Sequence, residues 1–77
     1  MAITVKFFAS LSEQLGMREV LVESKDRLTV EEIWEQVTGN REIPAKILIA
    51  INMEYARYDD HVSDNDEVAF FPPVTGG

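Results

Sequence analysis

Thr29-Val30-Glu31-Glu32-Ile33-Trp34-Glu35-Gln36-Val37, followed by Gly39 and Asn40, is the stretch from which the fold can be read. Thr29 and Glu32 form a Thr-x-x-Glu capping box, and Leu28 and Ile33 stand where a hydrophobic staple requires them. Val30, Ile33, Trp34 and Val37 recur at helical spacing and make one apolar stripe, while Glu31, Glu32, Glu35 and Gln36 face water. Glu31 and Glu32 occupy the first turn, where the helix dipole favours negative charge. Gly39 and Asn40 suit a left-handed close. Trp34, lying on the stripe, reads as a core residue rather than a ligand platform. One helix of about three turns cannot cover two faces of a sheet. The prediction is therefore α+β, with this main helix packed on one face.

The strands lie on both sides of it. Ile3 to Phe8 alternates with period two: Ile3, Val5 and Phe7 point one way, Thr4, Lys6 and Phe8 the other. The polar members mark the second side as outward, which leaves Phe8 exposed. Ser10 to Gly16 reads as a short helix capped by Ser10 and closed by Gly16. Arg18 to Glu23 is a second strand with Val20 and Val22 inward, followed by a polar loop over Ser24 to Arg27. Beyond a connection containing Pro44, Ile47-Leu48-Ile49-Ala50-Ile51 is an unbroken apolar run of the kind covered on much of both faces. Asn52 to Glu54 turns the chain, and Tyr55 to Tyr58 is a short strand or edge. In Glu67 to Phe71, Val68 and Phe70 face in, while Glu67, Ala69 and Phe71 face out. First and last strands as a parallel central pair give a mixed sheet, the β-grasp arrangement. Phe8 and Phe71 then end at the same sheet edge on the outward face, and contiguous exposed apolar surface marks a partner site.

The composition narrows the function classes. Seventy-seven residues make one domain near the lower limit for a self-sufficient core, which 45% hydrophobic residues can fill. There is no cysteine, which excludes disulfides, thiolate-ligated metal and a Cys nucleophile. A net charge of −7 argues against nucleic acid and anionic membranes and favours a basic protein partner. With no long apolar run and no signal-peptide layout, the expected location is cytoplasmic. Asp59, Asp60, Asp64, Asp66 and Glu67 lack the calcium-loop spacing and read as solvated turns, with Asn65 suited to a left-handed conformation. His61 has no second His or Cys nearby and reads as an exposed loop residue, so no metal site is expected.

The remaining stretch is Phe70-Phe71-Pro72-Pro73-Val74-Thr75-Gly76-Gly77. Pro72 and Pro73 fix φ, donate no backbone hydrogen bond and favour extended geometry in the residue before each. Residues 1–73 are thus expected to form the domain, and 74–77 an extended, flexible tail spanning roughly 13 Å at about 3.3 Å per residue. Gly76 and Gly77 carry no side chain, so a terminal carboxylate can enter a channel that only backbone fits. No nucleophile–base pair is visible, and no phosphate-cradling Gly loop. The chain reads as a reactant rather than a catalyst.

The run Asp66 to Gly77 resembles the C-terminus of the small subunit of molybdopterin synthase, the MoaD family. Val5-Lys6-Phe7-Phe8-Ala9, Thr29-Val30-Glu31 and Ala50-Ile51-Asn52 are similar too, so the likeness spans nearly the whole chain. Asn65 stands where family members commonly carry Gly, a mild change of conformation. The resemblance implies a ubiquitin-like β-grasp sulfur carrier. In that family an E1-like adenylyltransferase uses ATP and Mg to adenylate the terminal carboxylate, and a sulfur donor converts it to a thiocarboxylate. The tail then enters the large synthase subunit and gives sulfur to the dithiolene of molybdopterin, in molybdenum cofactor biosynthesis. Carried over, Gly77 accepts and donates sulfur, and Val74, Thr75 and Gly76 form the slender tail. Phe8, Phe71, Pro72 and Pro73 contact the partner. The chain alone would be non-catalytic, a sulfur-donating subunit of a transferase, with no cofactor of its own. Three alternatives stand beside this: a sulfur carrier for thiazole formation or transfer-RNA thiolation, a ubiquitin-like modifier joined to lysines through Gly77, and a plain β-grasp binding domain with an inert tail.

Overall fold

The computed structural model describes residues 1–40 and 42–73. Among them the elements run β1 (Ala2–Phe7), α1 (Ala9–Leu15), β2 (Glu19–Glu23), α2 (Val30–Thr38), β3 (Leu48–Ile51), β4 (Glu54–Ala56) and β5 (Glu67–Phe71). These strands form one mixed sheet in the order β2-β1-β5-β3-β4. The first and last strands are the parallel pair, with Val5 beside Val68 and Phe7 beside Phe70. The β1–β2, β3–β4 and β3–β5 pairings are antiparallel.

Strand parity places the core. Ile3, Val5 and Phe7 from β1, Val22 from β2, Ile49 from β3, and Val68 and Phe70 from β5 point to one face. Val30, Ile33 and Trp34 of α2 and Leu11 of α1 join them there. Phe7 stacks on Phe70 with ring centroids 5.6 Å apart, and Trp34 meets Phe70 edge-on at 4.9 Å. Such aromatic pairs contribute about 0.5–1.5 kcal/mol beyond the area they bury. Trp34 is therefore a core residue, as the stripe predicts, and its buried indole N–H has no hydrogen-bond acceptor.

The main helix starts as its sequence predicts. The Thr29 hydroxyl accepts the Glu32 N–H at 3.2 Å, and the Glu32 carboxylate accepts the Thr29 N–H at 3.0 Å. Leu28 and Ile33 are both buried. Gly39 closes the helix at φ 78°, a conformation that glycine adopts without steric cost.

Two local expectations are corrected. Ser10 does not cap α1: the helix begins at Ala9, and its N-cap is Phe8, with no side-chain cap bond. The chain leaves β1 directly into the helix by placing Ala9 at φ 54°. That single left-handed residue leaves no separate capping position, and Ser10 falls within the first turn. The apolar run at 47–51 is covered only in part on its second face, where Ala50 is buried and Leu48 is exposed. Ile47 belongs to a turn, its N–H bonded to the Pro44 carbonyl at 3.0 Å. Ile49 and Ile51 pack on the core, whereas Leu48 and Ala50 face the side that no described helix covers. Tyr55 and Phe71 lie on that face with rings 6.2 Å apart.

Candidate functional site: the outward face at the root of the tail

The face that no described helix covers is where sequence parity and topology converge. The Phe8 N–H donates to the Phe70 carbonyl at 3.1 Å, so Phe8 is fixed beside the end of β5. Phe8 is 47% exposed and Phe71 half-buried. Both line one open groove of about 570 Å³, together with Ala50, Met53, Tyr55 and Pro72. The expected pairing of Phe8 with Phe71 is thus present, and Pro72 continues the groove. Pro73 is exposed beyond it. Val74, Thr75, Gly76 and Gly77, the remaining expected site residues, lie outside the described residues.

Parity did not single out Tyr55 or Met53. Tyr55 pairs with Ala50 across β3–β4 and faces outward, 79% exposed. Its place between Glu54 and Ala56 was the available signal, since it alternates with Ala56, which packs on the core. Met53 is 92% exposed at the apex of the β3–β4 hairpin. Asn52 holds that apex to β5. Its amide donates to Asp66 Oδ1 at 2.8 Å, and its Oδ1 accepts the Glu67 N–H at 2.9 Å.

Charge borders the groove. Glu67 lines it, and Lys6 reaches Glu67 at 3.4 Å and Glu19 at 3.9 Å. Half-exposed ion pairs of this kind contribute little stability, but they fix where the charges stand. Acidic residues beyond β4 accept backbone N–H groups. Asp60 Oδ2 accepts the Arg57 N–H, Asp64 Oδ1 the Ala2 N–H, and Asp66 Oδ2 the Ser63 N–H, all at 2.7–2.8 Å. Asn65 is left-handed at φ 69°, as expected. His61 is exposed and forms a backbone bridge with Thr29. Among the described residues no group of three or more His, Asp or Glu converges as metal ligands do.

A five-stranded mixed sheet with a parallel central pair and a capped helix across one face is the ubiquitin-like β-grasp. The chain belongs to the ThiS family, whose model matches residues 5–77. It is 38% identical to the molybdopterin synthase sulfur carrier subunit of Escherichia coli, over 97% of this chain and 99% of that protein. The crystal structure of SAMP1 (small archaeal modifier protein 1) from Haloferax volcanii superposes with a TM-score of 0.83 at 29% identity, covering 100% of both chains. A protein–protein complex of subunits 1 and 2 of the molybdopterin-converting factor from Helicobacter pylori contains a chain of the same fold, with TM-score 0.65, 21% identity and 100% of both chains covered.

Proposed function

We propose that this chain is the sulfur-carrying small subunit of a molybdopterin synthase. The observation that carries the reading is the near full-length identity of 38% to a molybdopterin synthase sulfur carrier subunit. The exposed aromatic groove at Pro72 supports it, because a carrier needs a docking face beside its tail. Residues 1–73 act as the domain, and 74–77 as the tail that reaches the reaction centre.

The chemistry follows from the carboxylate. At neutral pH a carboxylate is a poor electrophile, so sulfur cannot displace its oxygen directly. In the proposed sequence an E1-like adenylyltransferase binds ATP and Mg, and one Gly77 carboxylate oxygen attacks the α-phosphorus. Pyrophosphate leaves and an acyl adenylate forms. A sulfide equivalent from a sulfur donor attacks the acyl carbon and AMP departs with the oxygen, which leaves a thiocarboxylate. The large synthase subunit then takes the tail, and the sulfur passes to cyclic pyranopterin monophosphate to build the dithiolene. This chain contributes the reactant and its presentation, not the catalytic groups. With no cysteine in the sequence, the sulfur has no side-chain thiol to ride on. A cytoplasmic location is part of the proposal. Separately, no helix among the described residues is long and apolar enough to cross a membrane.

The likeness to SAMP1 favours a second reading, a protein modifier joined through Gly77 to target lysines. One experiment separates the two. The protein is co-expressed with its activating enzyme, and its intact mass is measured. Replacement of one oxygen by sulfur, localised to the final peptide, supports the carrier. Sulfur located elsewhere, or a product consisting only of lysine isopeptides, refutes it in favour of the modifier or another chemistry.

A further inference from the structure

We infer that Met53 is a docking residue for the protein that receives the tail, held in the hairpin turn against the turn's own conformational preference. The inference rests on the reading of this chain as a molybdopterin synthase small subunit, and the receiving protein is then the large subunit.

Asn52 and Met53 are consecutive left-handed residues, at φ 50° and 69°. They form the two-residue loop between Ile51 and Glu54, which are directly paired. Two positive φ values in a two-residue hairpin loop define a type I′ turn, whose favoured sequence is Asn-Gly. Asn52 matches that preference. Met53 occupies the glycine position, where a Cβ clashes with the neighbouring carbonyl. Its side chain is 92% exposed, so packing within the chain returns almost nothing for that strain. Strained backbone of this kind persists where surrounding structure holds it, and it clusters at functional sites. The holding structure is Asn52, whose side chain bonds Asp66 and the Glu67 N–H.

The position of Met53 decides its partner. It lines the same groove as Phe8, Phe71 and Pro72. The four residues beyond Pro73 can reach only about 13 Å when fully extended. A channel that admits Gly77 therefore has its mouth within that distance of Pro73, and the groove, which Pro72 lines, is the apolar surface that borders that mouth. Met1 and Met17 pack against the core, which leaves Met53 as the methionine offered outward among the described residues. A flexible, polarizable thioether fills irregular gaps and makes favourable contacts with aromatic rings, which suits the centre of a docking surface.

The test sets two measurements with opposite expected signs on one variant. The full chain, as wild type, Met53→Gly and Met53→Leu, is titrated calorimetrically into the purified large subunit from the same organism, and each variant is also melted thermally. Met53→Gly is expected to melt higher, because the left-handed strain is gone, and to bind roughly tenfold more weakly, as the loss of one buried apolar side chain does. Met53→Leu keeps the apolar body and the strain, and is expected to bind within about threefold of wild type. Met53→Gly binding as tightly as wild type would overturn the docking role. Met53→Gly melting lower would overturn the claim of strain. If wild type itself does not bind the large subunit, the small-subunit reading falls, a result distinct from both.

Discussion

The Tyr55 and Phe71 rings meet with centroids 6.2 Å apart across the strand that separates them. Ala50 lies between, paired with Tyr55 on one side and Ala69 on the other, and is buried although no described helix covers its face. Phe71 is consequently half-buried within its own domain, rather than free as an outward residue with no neighbours would be.

That relationship sets the outcome of replacing the two adjacent phenylalanines. Phe71→Arg loses the contact with Tyr55, which is expected to reduce stability by about 0.5–1.5 kcal/mol, and it weakens docking to the large subunit by at least about tenfold. Phe70→Arg places a charge where exposure is 0%, and is expected to unfold the domain. Thermal melting and a binding titration on both variants check this. A folded Phe70→Arg beside an unfolded Phe71→Arg would reverse the assignment of faces.

The capping box predicts a stability loss without a functional one. Thr29→Ala removes the acceptor of the Glu32 N–H and is expected to cost about 0.5–2 kcal/mol. Chemical denaturation should show a lower midpoint with an unchanged slope. Docking should be unaltered, because Thr29 is not among the residues that line the groove.

At the tail, Gly76→Val adds a branched side chain where the proposed channel admits only backbone. The variant should melt like wild type and yet accept or deliver little sulfur, followed by intact mass and by product formation with the large subunit. Unchanged sulfur transfer would argue for a wide channel.

Charge predicts the salt response. A domain carrying −7 should associate with a basic partner more slowly as ionic strength rises, because screening removes the long-range steering. Stopped-flow association between low and physiological salt measures it, and a flat profile would confine the acidity to solubility.

Much of the fold was legible because its signals are local and periodic. Alternation in β1 and β5 identified Ile3, Val5, Phe7, Val68 and Phe70 as inward and left Phe8 and Phe71 outward. The capping box marked the start of α2 to the residue. What escaped depends on backbone conformation or on distant partners. The start of α1 was misread because Ser10 looks like a cap, while Ala9 makes the turn by adopting a left-handed φ that a β-carbon disfavours. The second side of β3 was legible only in part: Ala50 is buried there and Leu48 is exposed, a difference that a continuous apolar run does not reveal. Asn52 was legible only as a turn residue; its bonds to Asp66 and Glu67 bridge segments that no sequence window spans. Tyr55 belongs to the groove because β4 folds back onto β3, a fact of tertiary pairing.

The central position of β5 has a consequence for synthesis. The sheet consists of two antiparallel pairs, β1–β2 and β3–β4, joined edge to edge by β5, which follows all four in the sequence. A nascent chain that stops short of Glu67 has two separate strand pairs, an open core and no keystone between them. The strand that completes the sheet also carries Phe71 and leads directly into Pro72. A half-made chain therefore exposes neither the groove nor the terminus that follows it, and activating machinery that requires both would meet only finished domains.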